Sequence, residues 1–173
     1  MGMLLEISGV SALALLVGMP LLTLVHELGH GLVAAVAVGG RVTIVQGPAP
    51  ARLRVRVWRL DLRLRGPVAP HRVMVGWAFW GPHSDPRRHA LANAAGPLTS
   101  ALSAAACGAG AYLTGGLGQL LLLLLGLAAT LQTLSTSVPC RYGRWFGSYA
   151  GEASDGLRIA RALRGRRGPA ATA

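Results

Sequence analysis

Leu24-Val25-His26-Glu27-Leu28-Gly29-His30-Gly31-Leu32 is an H-E-x-x-H motif set inside an apolar run. The run extends from Ile7 to Val38, and His26, Glu27 and His30 are its only ionisable side chains. It exceeds the ~20 residues a helix needs to cross a bilayer, which predicts a membrane-spanning helix. Ionisable groups inside such a span are expensive, so their presence is a statement about function. Residues at i and i+4 share one helix face, so both imidazoles can reach a single cation. Glu27 stands beside them, able to act on a water without being a ligand. That arrangement is the logic of a zinc hydrolase with a glutamate as general base.

The composition agrees with a membrane setting. Of 173 residues, 52% are hydrophobic and 13% charged, and the mean hydropathy is +0.47. A soluble domain is far less apolar. The net charge is +11, carried by 17 Arg with no Lys. With several apolar segments in the chain, this balance points to the anionic membrane surface rather than to nucleic acid. Cys107 and Cys140 are too few for a disulfide scaffold or a cysteine zinc site, and their placement argues against a bridge. The first apolar run has no basic n-region and is about twice the length of a signal-peptide core, so it is read as a retained span.

Three spans are predicted, at about 8–38, 90–113 and 117–137, giving an α-helical membrane protein. The second is rich in Ala, Ser and Gly, which suits close helix packing. Ten Arg lie between Arg41 and Arg88 and seven from Arg141 onward. The positive-inside rule then puts 41–89 and 139–173 in the cytoplasm and the N-terminus outside. Residues 1–160 read as one domain, and 161–173 as a basic, disordered tail.

Residues 41–75 read as a small membrane-surface sheet between spans one and two. Arg41 to Gln46 is β-rich, and Arg52 to Val57 alternates at period two. The phase then inverts, with Arg59, Asp61, Arg63 and Arg65 on odd positions, which predicts a bulge or tight turn near Trp58. The Arg-rich face is either simply solvated or turned toward lipid phosphates. Trp77, Phe79 and Trp80 read as interfacial anchors.

A catalytic zinc needs a third protein ligand. Asp155, Glu152, Asp85, Asp61, His71, His83 and His89 are the candidates. Asp155, in Ser154-Asp155-Gly156, could equally be a turn or N-cap residue. Asn93 is a polar amide near the start of the second span, either in a helix contact or facing substrate. Gly96 permits close helix approach, and Pro97 a kink or helix start.

His26-Glu27-Leu28-Gly29-His30 in a span, Ala94-Ala95-Gly96-Pro97-Leu98 opening the next and the late Asp155-Gly156 together resemble the site-2 protease family of intramembrane zinc metalloproteases. The likeness runs from the first span to about Ile159. It implies that His26, His30 and Asp155 hold Zn2+, that Glu27 is the base, and that a transmembrane protein substrate is cleaved within the bilayer. It also implies that the sheet helps to align an extended substrate. One departure stands out. Thr136-Ser137-Val138-Pro139 has Thr where the family usually has Asn, so Ser135, Thr136 or Asn93 becomes the candidate substrate or oxyanion contact. The alternative is a weak or inactive relative that binds membrane partners without cleaving them. The intact His-Glu-His set argues against it.

Overall fold

The computed structural model describes residues 2–47, 51–65, 75–81 and 85–164. Helix α1 (Gly2–Leu13), a π-helical turn (Ala14–Gly18) and α2 (Met19–Ala37) form one continuous rod. Pro20 explains the π turn. A proline has no N–H and crowds the carbonyl four residues before it, and one wide turn immediately upstream relieves that clash. Met19 N–H accordingly reaches back five residues to the Ala14 carbonyl. The helix starts earlier than the predicted boundary at residue 8, with Glu6 exposed on its first turns.

Helix α3 (Pro86–Leu113) begins at an Asp85 N-cap, whose carboxylate accepts from Arg87 N–H. Pro97 therefore lies inside a helix rather than at its start. Helix α4 (Gly116–Ser137) follows a two-residue turn, and α5 (Asp155–Leu163) closes the described fold. Gly2–Ala37 and Gly116–Ser137 are long and apolar enough to cross a membrane. Helix α3 lies between α2 and α4 and forms the most extensive interfaces of the molecule. Cys107 and Cys140 are both free. Helix α5 carries the ordered chain to Leu163, past the boundary expected at residue 161, and 165–173 lie outside the described residues.

Between α2 and α3 sits a four-stranded mixed sheet in the order β2-β3-β1-β4. Its strands are β1 (Val42–Gln46), β2 (Ala51–Val57), β3 (Leu60–Arg65) and β4 (Gly76–Phe79). The inverted phase of the Arg residues is a tight hairpin. Val57 pairs with Leu60 across Trp58-Arg59, so odd positions of β2 share a face with even positions of β3. Trp58 takes φ 50° there, a conformation rare outside Gly, Asn and Asp. On the charged face, Asp61 bonds Arg54 and Arg63. These guanidiniums, Arg54 first, hold its carboxyl well below the ordinary range against the opposing effect of burial.

The fourth strand was not anticipated. Gly76 to Phe79 pairs antiparallel with β1, so the aromatic residues read as interfacial anchors belong to a sheet edge. Trp77 and Trp80 line an internal cavity, while Phe79 is half exposed. The core beneath the sheet uses small residues: Ala34, Ala35 and Val38 of α2 and Ala92 of α3 meet Val42 and Ile44. Their size brings α2, α3 and β1 close enough to fix the motif helix from two sides.

Candidate metal centre

His26, Glu27 and His30 are all buried on the face of α2 that meets α3 and the sheet. Each imidazole is oriented through its Nδ1. His30 Nδ1–H donates to the Ala92 carbonyl at 2.8 Å, and His26 Nδ1 lies 2.8 Å from Ser100 Oγ. A carbonyl can only accept, so His30 carries its proton on Nδ1 and, when neutral, presents a bare lone pair on Nε2. Outer contacts of this type set tautomer and ring angle at metal sites.

Three glycines make the arrangement possible. A Cβ on Gly96 would fall on the His30 ring, 2.5 Å from Cε1 and 2.6 Å from Cδ2. Gly29 lies against Thr99 and the Ala95 carbonyl, 2.9 Å from where its Cβ would stand. Gly156 faces the Ser137 backbone so closely that no side chain fits between α5 and the end of α4. The glycine of each motif is thus a contact point between elements that carry the site.

Asp155 reaches the histidines because the long gap after Pro139 closes on itself. Arg141 bridges Ala153, and Tyr142 N–H donates to the Glu152 carbonyl at 2.9 Å. Ser154 is the knot. Its hydroxyl donates to the Val138 carbonyl (2.6 Å) and accepts from Cys140 N–H (3.1 Å) and Leu157 N–H (3.2 Å). Ser154, not Asp155, is therefore the N-cap of α5, which leaves the Asp155 carboxylate free to turn inward.

The result is a tight triangle. His26 Nε2 and His30 Nε2 are 3.2 Å apart, and Asp155 Oδ2 lies 3.2 Å from the first and 3.3 Å from the second. Burial would raise the Asp155 carboxyl, but its bonds to His26 and His30 outweigh this and hold it well below the ordinary range. Two imidazole nitrogens and a carboxylate facing one another in a buried site could hold a metal ion.

The other described third-ligand candidates have other partners, although Glu152 also lines the cavity beside the triangle. Glu152 pairs with Arg158 at 3.6 Å, Asp85 with Arg88 at 3.5 Å, and Asp61 with the sheet arginines. His89 accepts from Trp80 Nε1 at 3.1 Å. His71 and His83 lie outside the described residues.

A cavity of about 620 Å³ opens from the triangle and is lined by Glu27 as well. The Glu27 carboxylate has no hydrogen-bond partner among the described residues. One wall is apolar, from Leu15 and Met19 to Leu124, Leu127 and Leu131; the other is β4 and the 142–158 segment. Thr136 lines this cavity, although its hydroxyl donates to the Gln132 carbonyl of its own helix. Asn93 is not among the lining residues. Its Nδ2 donates to the His89 carbonyl, and its Oδ1 is buried without a partner among the described residues.

Sequence reasoning missed Gln132, an amide on the cavity wall one turn before Thr136. Its signal was available: a Gln within the Leu-rich span. It also missed Tyr142 and Tyr149, whose hydroxyls stay protonated because burial, helped by nearby carboxylates, pushes both upward. Compared with known proteins, the chain matches no family model, no curated protein and no solved structure.

Proposed function

We propose that the chain is an intramembrane zinc metalloprotease of the site-2 protease type, with His26, His30 and Asp155 as the ligands and Glu27 as general base. The carrying observation is the triangle of donor atoms. Tetrahedral zinc with bonds of ~2.0–2.1 Å spaces its ligands roughly 3.3–3.4 Å apart, and the three edges here are 3.2, 3.2 and 3.3 Å. Two His and one carboxylate leave a fourth position open, as catalytic zinc sites do. Bound there, zinc would supply the Lewis acidity that brings a water's pKa down to ~7.

The chain's own residues account for the rest. Glu27, at the cavity wall, takes the proton of the attacking water and delivers it to the leaving amine. The apolar wall from Leu15 to Leu131 receives a transmembrane segment, and the edge of β4 receives its unwound stretch. Gln132 and Thr136 face that stretch with polar groups. A merely binding relative would have no use for a buried carboxylate at the cavity wall without a hydrogen-bond partner among the described residues, which favours the protease over the alternative.

On this reading α3 is the third span, between the two apolar helices, and 41–89 and 139–173 are cytoplasmic by their arginines. The β2–β3 tip then meets anionic lipid. Val57 and Trp58 are 63% and 66% exposed there, beside Arg56 and Arg59, an apolar tip in a basic collar.

The test is Glu27→Gln in detergent-purified protein, read by zinc content and by cleavage of a single-span reporter with a helix-breaking centre. Zinc should remain at about one per chain while cleavage falls by roughly 10² to 10⁴. Wild-type protein that takes up no zinc on reconstitution, or a variant that cleaves at the wild-type rate, refutes the proposal.

A further inference from the structure

Strand β4 is an outer strand of the sheet. The Val75 carbonyl accepts from Gly47 N–H on the β1 side, at 2.8 Å. Antiparallel pairing alternates, so the N–H and C=O of Gly76 point away from β1. Both are taken by one side-chain atom. The Tyr149 hydroxyl accepts from Gly76 N–H at 2.8 Å and donates to the Gly76 carbonyl at 2.9 Å. This peptide group lies directly on the catalytic side of the cavity, since a Cβ on Gly76 would stand 2.6 Å from Glu27 Cγ.

Tyr149 belongs to the 141–153 excursion, which carries a short 3₁₀ turn (Arg144–Tyr149). Its base is closed by the Arg141–Ala153 bridge. Its far end turns on Gly147 and its return to the base on Gly151, at φ 55° and 83°, where glycine alone is unstrained. Trp145 is 93% exposed. Among the described residues, the Tyr149 hydroxyl makes the only hydrogen bonds from this excursion to the sheet. The ring adds a tilted contact with Trp77, 5.6 Å between centroids at an interplanar angle of 51°.

We propose that Tyr149 is a latch that occupies the Gly76 backbone pair in the closed state, so that the 141–153 excursion must leave β4 before an extended polypeptide can pair beside Glu27. The substrate in this statement rests on the protease reading; the contact and its opening do not. A hydroxyl that both donates and accepts is matched by a substrate backbone that also offers one donor and one acceptor. Two hydrogen bonds are exchanged for two, so the edge is paired both before and after the exchange, and the two end states differ little in hydrogen bonding.

Tyr149→Phe keeps the ring and removes the latch. In the intact 173-residue chain in detergent, hydrogen exchange at Gly76 and across 141–153 should quicken about tenfold or more, since both hydrogen bonds of the hydroxyl are lost. Tryptic cleavage after Arg144 should accelerate, with exchange in α2 and α3 and the zinc content unchanged. Unchanged exchange at Gly76 and 141–153 overturns the latch. So does quickened exchange throughout α2 and α3, which would make Tyr149 a structural strut. With the single-span reporter, the variant should cleave faster than wild type; slower cleavage despite a looser excursion would mean that the hydroxyl serves the substrate, and also overturns it. If Glu27→Gln shows that there is no protease, the exchange comparison still decides the latch.

Discussion

Gly96→Ala is the sharpest perturbation available, because it adds one methyl group at a position outside the ligand set. The new carbon would lie 2.5 Å from Cε1 and 2.6 Å from Cδ2 of His30, where carbon–carbon contacts are comfortable at about 3.5 Å. The ring must therefore retreat by roughly 1 Å or more. It cannot do so freely, since Nδ1 is tied to the Ala92 carbonyl at 2.8 Å. Metal–ligand distances tolerate deviations of about 0.2 Å, so a shift several times larger removes His30 from the set. Apparent zinc affinity should fall by at least 10²-fold, read by competition with a chromogenic chelator and by zinc content after dialysis. Gly108→Ala is the matched control in the same helix, with nothing within 4 Å of its added carbon, and should bind as wild type does. A Gly96→Ala protein that holds zinc as tightly as the control would refute the reasoning.

Ser100→Ala removes the group beside His26 Nδ1 and should weaken zinc binding by about 10- to 100-fold without unfolding the chain, measured by the same competition. Ser154→Ala removes a cap and strands Cys140 N–H and the Val138 carbonyl, so it should destabilise the protein by about 1–3 kcal/mol in thermal or denaturant unfolding. Asp61 supplies the pH dependence. Its folded carboxyl is held below its ordinary value, so its contribution is complete above about pH 4 and is lost as pH falls below that toward the folded value. Asp61→Asn should lower the melting temperature at pH 7, and the gap from wild type should narrow steadily on acidification below pH 4.

The parts of this molecule legible in its sequence are those carried by local patterns. The helix bearing His26 and His30, the apolar helix at 116–137 and the tight turn at Trp58 follow from periodicity and hydropathy over a few turns. The choice among seven third ligands did not follow from such patterns and came only from the family resemblance, which pointed to Asp155; physically it depends on the knot at Ser154, which joins residues 138, 140 and 157 through one hydroxyl. Strand β4 was hidden because Trp77, Phe79 and Trp80 carry the same signal at a membrane interface as on a sheet edge. The roles of Gly29, Gly96 and Gly156 were visible only as spacing; what each glycine makes room for needed three dimensions.

The first ligand pair and the last ligand are separated by more than two thirds of the chain, His26 and Asp155 being 129 positions apart. On the function proposed above, a ribosome releases the His-Glu-His half long before the residue that completes it. On that function the growing chain would be hydrolytically inert until Asp155 arrives. Competence arrives in one step, when α5 docks against the end of α4, and the fold itself serves as the zymogen.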